Sequence, residues 1–483
     1  MGVRKFFGLR TILTVFLSMR GIGSVLCLVG ALIASTVHAA MIRPINNWEY
    51  SPVDEEQWAA LEKASRDKNY AWIAENAQKK MQTQKGTLIE AEALVYLIEI
   101  LRQKNYEVLP YYLALKMNSF LPSSEPAYRS LKALEDYQKK YRWTHPKIIE
   151  LFTSGRMTEV PEPYYPWILW LLGEEPREGF WRYQWRWDRV RQEVLASGDL
   201  DRGTRQAQEL LDDPQLPQDL KNQVHLWLAR WYFQKKNYFK AMEFYEKHLP
   251  DPLMPYQISL EKAWAYYWLR KFPEVFGIIH TLRSPQYKNY QSPELYLLEM
   301  LSLRYLCYFD EIKTSADRFA AEYGGSIEKI KKNQDLKNDL ALAKWTLMDV
   351  ELNGEWQFMY LWNQEKEALA KESFLPAGLR DLLISQVQSF VGQISLEADY
   401  RYHRAVTEKA RELLDYYEQV KLMEYLTALD KTMGPQARSK VDDGEQRLEF
   451  RSTFKQLFWP FKKEYWMDEI SYYQVFTEDL CAK

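Results

Sequence analysis

The 483-residue chain is poor in the patterns on which most enzyme chemistry rests. No HExxH, GxSxG, Walker or dinucleotide-loop motif occurs, and His145, His225, His248, His280 and His403 do not cluster at ligand spacing. The zinc-hydrolase, serine-hydrolase and nucleotide-binding classes find no support, no cofactor or metal is expected, and the chain reads as non-enzymatic. Cysteine is scarce: Cys27 lies in an N-terminal apolar run, and only Cys307 and Cys481 follow it. These two can form a disulfide in an oxidising compartment, or stay one buried helical thiol and one thiol in a terminal tail; both readings remain open. A basic excess is missing too, with 64 Lys and Arg against 66 Asp and Glu, so general nucleic-acid affinity is not indicated. A mean hydropathy of −0.47 argues against a polytopic membrane protein. What the chain does have is the charged and apolar content of a folded protein, 27% and 47%, and abundant Trp (18) and Tyr (33).

The N-terminus carries an address. Arg4, Lys5, Arg10 and Arg20 are basic, no acid precedes residue 39, and Gly21 to Ala34 is uncharged and mostly apolar. Val37-His38-Ala39 then offers the small residues of a cleavage site. We read a signal peptide over 1–39, cut after Ala39, and expect a periplasmic protein, with outer-membrane association left open. A start at Met19 would leave a more compact signal. The alternative is an uncleaved anchor, although the apolar run is short for a bilayer span of about 20 residues; after cleavage no transmembrane span is expected. Removal leaves 60 basic against 66 acidic side chains, a net charge of −6.

The most regular pattern runs from Asn222 to Arg283. Leu228, Ala229, Tyr232, Asn237, Tyr238, Ala241, Tyr245 and Leu249 form one cycle, and adding 34 carries Ala229 to Ala263, Tyr232 to Tyr266, Tyr238 to Phe272, Ala241 to Val275 and Tyr245 to Ile279. Small residues are needed where paired helices touch, and aromatics fill the gaps between successive hairpins. Leu297, Met300, Leu303, Phe309, Ile312 and Ala316 make a third copy displaced by three residues, which Gly324-Gly325 is expected to stop. Lys68-Asn69-Tyr70 and Lys104-Asn105-Tyr106 repeat the tripeptide Lys236-Asn237-Tyr238 between apolar helical runs, with Asn suited to the turn backbone.

This order and repeat length resemble the tetratricopeptide (TPR) family. The resemblance implies an all-α, TPR-like α-solenoid, a right-handed superhelix of helical hairpins, ending here in an aromatic-rich C-terminal tail. It also implies that the first helix of each unit faces a concave groove. That places Gln223, Leu226, Arg230 and Phe233 there, then Gln257, Leu260, Trp264 and Tyr267, then Glu294, Leu297, Leu301 and Arg304. Arg230, Phe233, Trp264, Tyr267 and Arg304 are the expected anchors for an extended peptide or helix of an envelope protein. The competing expectation is that Trp264 and Tyr267 pack against adjacent helices.

The chain thus divides into the signal (1–39), N-terminal TPR-like hairpins (40–160), an aromatic and Arg-rich connection (161–221), clear repeats (222–323), further helices ending in a long one (324–433), and a linker with the aromatic tail (434–483). The first helix is expected from a Ser51 cap with Pro52 in its first turn. Thr158 to Tyr165, with Pro161 and Pro163, predicts a break. Helices are predicted over 328–352, 355–370, 379–394 and 404–433. In the last, Val406, Ala410, Leu413, Tyr417 and Val420 form a stripe suited to lying along the preceding hairpins.

Other stretches suggest other roles. Trp181, Tyr183, Trp185 and Trp187 interleave with Arg182, Arg186, Arg189 and Arg191. This suits either a stacking platform for glycan rings or unpaired bases, or a packing joint in which Arg stems cover Trp faces. Glu372-Ser373-Phe374 superficially resembles the catalytic Glu-Ser motif of soluble lytic transglycosylases, but that family's Gly-Leu-Met-Gln and Ala-Tyr-Asn motifs are missing. Together these stretches supply the alternative of a peptidoglycan-binding or transglycosylase-like accessory factor. The order Trp459-Pro460-Phe461, Glu464-Tyr465-Trp466, Tyr472-Tyr473 and Cys481 is similar to the tail of envelope TPR proteins from gliding and predatory bacteria. That similarity implies a second alternative, a subunit of a motility or adhesion machine.

Overall fold

The computed structural model describes residues 43–45, 52–122, 124–154, 157, 159–248, 254–433, 465 and 473–482. The signal segment, its cleavage site, Ser51, the linker from Gly434 and the tail from Phe458 to Tyr472, Tyr465 excepted, lie outside them. The chain forms two compact units, one of residues up to 220 with 357–393, the other of 221–356 with the residues from 394 onward.

The first unit holds α1 (Glu55–Arg66), α2 (Tyr70–Thr83), α3 (Leu88–Gln103), α4 (Val108–Phe120), α5 (Glu125–Tyr141), α6 (Pro146–Thr153), α7 (Tyr165–Leu171), α8 (Gly179–Ser197) and α9 (Leu200–Leu211). Asp54, not Ser51, caps α1: its carboxylate accepts the Gln57 N–H at 2.8 Å and so satisfies an orphan donor of the first turn. Trp58, Leu61 and Ala64 of α1 then pack with Ile73, Tyr96 and Ile100. Among the described residues the strand pairing is short and parallel: β1 (Arg43–Ile45) runs beside β2 (Glu159–Pro161), Arg43 opposite Glu159. It falls in the predicted proline-rich break, where Pro161 and Pro163 end helical hydrogen bonding.

The second unit begins within α10 (Gln218–Gln234) and continues through α11 (Tyr238–Lys247), α12 (Pro255–Trp268), α13 (Phe272–Leu282), α14 (Glu294–Tyr305), α15 (Phe309–Lys331) and α16 (Leu340–Thr346). α17 (Val350–Leu369) and α18 (Ala377–Met433) each supply residues to both units. Three hairpins share one turn. The carbonyl of Tyr232 accepts the Asn237 N–H at 2.9 Å, that of Tyr266 accepts Lys271 at 2.9 Å and that of Leu303 accepts Tyr308 at 2.9 Å. One residue before each donor the backbone is left-handed, at Lys236 (φ 59°), Arg270 (φ 58°) and Cys307 (φ 63°). This six-to-one bond at a left-handed residue closes a helix C-terminus by satisfying a carbonyl that would otherwise be orphaned. Ala229 and Ala263, and Ala241 and Val275, are fully buried at equivalent places, as the 34-residue pattern requires.

Several predicted boundaries need correction. In Lys68-Asn69-Tyr70 and Lys236-Asn237-Tyr238 the lysine takes the left-handed turn, while Asn69 and Asn237 cap the next helix by accepting the Trp72 and Lys240 N–H groups. Only in the middle tripeptide does the asparagine, Asn105 (φ 62°), take the turn. Gly324-Gly325 does not stop the third hairpin, because Phe319, Tyr323 and Ile327 continue a buried stripe through it. That packing outweighs about 1 kcal/mol of propensity lost per glycine. The helix predicted over 328–352 is instead broken at 332–339, where Asp339 caps α16, and again at 347–349, and the helix predicted over 355–370 already begins at Val350. The two helices predicted over 379–394 and 404–433 are one, α18.

Within the second unit, Tyr402, Val406, Ala410, Leu413, Tyr416, Val420 and Met423 of α18 share a core with Tyr296, Leu297, Met300 and Leu303 of α14. Tyr416 is buried where the sequence pattern favoured Tyr417, which is half-buried. Each fully buried apolar side chain contributes roughly 1.5–3 kcal/mol, so a seven-residue stripe holds α18 firmly against the hairpins.

Candidate interaction surface

The five expected anchors are largely engaged by the fold itself. Arg230 is 4% exposed and donates through Nε and Nη2 to the Glu261 carboxylate at 2.9 and 2.8 Å, a bidentate pair to which Tyr245 adds its hydroxyl at 3.1 Å. Phe233 is buried with its ring edge-on to Tyr238 at 5.2 Å. Trp264, half-buried, donates its indole N–H to Glu294 at 2.6 Å. Arg304 donates through Nε to Asp430 at 2.8 Å, and Leu297 and Leu301 pack in the core shared with α18. In the third hairpin, the positions expected to face a partner therefore face the chain's own helix. Periodicity puts residues on one side of α14; it does not say which segment covers that side.

Glu294 is the electrostatic anomaly of this region. Desolvation pushes its carboxyl up to about 7, against the pull of the Trp264 hydrogen bond. The folded state then binds a proton that the unfolded chain, at an ordinary glutamate value, has already lost, so stability falls as pH rises from about 4.5 through 7. Glu294→Gln keeps an acceptor for Trp264 and removes the charge. Urea titrations should show the variant matching the parent at pH 4.5 and exceeding it at pH 8 by about 1–3 kcal/mol; equal stabilities at both pH values would refute the assignment.

What remains accessible lies along the hairpin ends. The rings of Phe233 and Tyr238 meet at 5.2 Å, Tyr238 stacks on Trp268 at 5.4 Å with the planes 9° apart, and Trp268 meets Tyr267 edge-on at 5.4 Å. Tyr267 continues to Phe272 at 6.1 Å, and Phe272 to Tyr305 at 4.8 Å, where Arg270 sits 5.1 Å over the ring. This aromatic ledge links all three turns. Trp268 is 37% exposed, and Phe239, next to Tyr238 in sequence, is 74% exposed, so both offer apolar surface and π-faces to solvent. Phe233 and Tyr267 of the expected set belong to the ledge; its Tyr238 and Trp268, and the exposed Phe239, were not singled out as site residues. The available signal was positional: Trp268 ends its helix where the repeat places Gln234 and Tyr305, next to a turn and away from the buried stripe.

The other stretches resolve differently. In α8, Trp181 and Trp187 are buried, and Trp181 donates to Glu135 at 2.7 Å while stacking near Trp170 at 4.6 Å. Trp185 donates to the Gly173 carbonyl at 3.0 Å, with the Arg189 guanidinium 5.2 Å from its ring. The Arg189 and Arg191 guanidinium groups lie over the Trp185 and Trp187 rings here, inside a packed joint. Glu372 lies between α17 and α18, half-buried, and accepts from the Tyr106 hydroxyl at 3.3 Å. Cys307 and Cys481 are joined by a disulfide. Among the described residues no helix is long and apolar enough to cross a membrane. No family model, curated protein or solved structure matches this chain.

Proposed function

We propose that the protein is an exported, periplasmic TPR-type scaffold that binds an envelope protein and catalyses no reaction. The observation that carries this reading is the identical turn at Tyr232 and Tyr266, 34 residues apart, with equivalent buried pairs on either side. Repeated hairpins of this kind leave rigid, ordered faces on which recognition depends on a few aromatic anchors. The anchors are Trp268 of the aromatic ledge and the exposed Phe239 that follows Tyr238 in sequence, in place of Arg230 and Arg304, which hold the fold together. The partner is a protein segment presenting apolar or cationic side chains, both of which suit exposed Trp and Phe faces.

A photo-crosslinking residue at position 268 in the native cell, followed by mass spectrometry, tests this. One or a few envelope proteins should crosslink, and their yield should fall at least tenfold in a Phe239→Ser background. Cytosolic partners, or the same products from a crosslinker on the outer face of α9, would overturn the reading. No specific observation favours the glycan alternative, since Trp181 and Trp187 are enclosed.

A further inference from the structure

The last described residues, irregular over 473–479 and closing in a 3-10 turn at Leu480–Ala482, form a strap across α13 and the turn at Leu306 to Tyr308. The Val475 N–H donates to the Pro273 carbonyl at 3.0 Å, the Glu478 N–H to the Tyr308 hydroxyl at 3.1 Å, and the Leu480 N–H to the Leu306 carbonyl at 3.1 Å. Leu306 follows the end of α14, where carbonyls lack helical partners, so the strap satisfies an orphan acceptor. Tyr473 meets the edge of the His280 ring at 5.1 Å, and Tyr465 stacks on that ring at 4.8 Å. Pro273, Gly277 and His280 are spaced by four and three and line one side of α13. Gly277 is the notch in that stripe: a Cβ there would lie 1.7 Å from the Tyr473 carbonyl oxygen. A glycine inside a helix weakens it relative to alanine, and here the close approach of another backbone accounts for it.

We propose that this stripe is a binding site for an extended peptide, that residues 473–482 are its built-in ligand, and that the Cys307–Cys481 disulfide decides whether the site is closed. Seating the strap orders seven residues without regular structure and a closing 3-10 turn, a conformational cost that the disulfide lowers by holding Cys481 at Cys307. The disulfide, bridging a separation of 174 residues, keeps the strap at high effective concentration. A dithiol reductant opens the site: the S–S bond breaks, two electrons and two protons pass to Cys307 and Cys481, and the reductant becomes a disulfide. The strap then dissociates, and the slot accepts another extended segment by main-chain hydrogen bonding.

Hydrogen exchange on the full chain, oxidised and then reduced with both thiols alkylated, tests this. Reduction should accelerate exchange of the Val475 and Leu480 amides at least tenfold and leave the amides of α12 and α14 unchanged. In a Cys481→Ser chain, a synthetic peptide of residues 473–480, supplied at millimolar concentration, should crosslink to α13 through a photoreactive group at its Tyr473 position. Gly277→Ala should loosen Val475 even with the disulfide intact, since alanine suits the helix and blocks only the strap. Strap protection unchanged by reduction, protection lost throughout the second unit, no crosslink to α13, or an unaffected strap in Gly277→Ala would each overturn the proposal.

Discussion

Replacing Arg230 with alanine should lower the stability of the folded chain by about 3–5 kcal/mol, because it leaves a buried carboxylate without its partner. The Arg230 side chain is 5% exposed and that of Glu261 11%, and they pair bidentately between the first and second hairpins of the second unit. Truncation removes the guanidinium while Glu261 and the Tyr245 hydroxyl stay in place in a site from which water is largely excluded. Urea denaturation followed by far-UV circular dichroism would measure the loss. The double variant Arg230→Met with Glu261→Gln should recover at least half of it, because the neutral amide oxygen still accepts from Tyr245. A loss below about 1 kcal/mol for the single variant would mean that the pair behaves like a surface ion pair and that Arg230 is available to a partner after all.

The second large effect is expected at Glu365. Helix α4 has no capping side chain of its own, and Pro110 in its first turn has no N–H to satisfy. The remaining free donors turn to one residue of α17: Glu365 Oε1 accepts the N–H groups of Glu107 at 2.5 Å and Val108 at 2.8 Å, and Oε2 accepts Leu109 at 3.0 Å. The positive end of the helix dipole adds to the attraction. Burial nevertheless pushes this carboxyl up to about 7, against the three donors that pull it down. Glu365→Ala should destabilise the chain by about 2–4 kcal/mol, since two buried amides and a half-buried one lose their acceptor. Glu365→Gln, which keeps one strong acceptor, should fall between variant and parent. If Gln and Ala are equally harmful, side-chain packing of α17, and not the cap, is what α4 requires.

Both effects concern residues whose importance is invisible in a local window. Arg230 occupies a repeat position that the TPR resemblance assigns to a groove, and nothing within its own helix says that Glu261, 31 residues later, will meet it. Glu365 lies 258 residues from the amide at Glu107. The aromatic ledge is an intermediate case. The repeat made Tyr238 and Phe272 equivalent, but whether those rings join the neighbouring Trp268 and Tyr305 depends on how successive hairpins are stacked. The strap is the extreme case, since its slot becomes recognisable only when Gly277 and Tyr473 are seen at one place.

The sequence by itself determined the all-helical character of the chain, the turns of the repeats and the 34-residue spacing of two hairpins. Those features follow from short-range physics: a period of apolar residues, capping side chains, and small residues where helices touch. The tertiary structure alone decided that α18 is one continuous helix, that it covers the third hairpin where a partner was expected, and that Cys307 and Cys481 meet. Amphipathic stripes specify that a face must be covered but carry no label for what covers it. A face on α14 can be satisfied by a partner or by a helix from later in the same chain, and only the three-dimensional arrangement chooses between them.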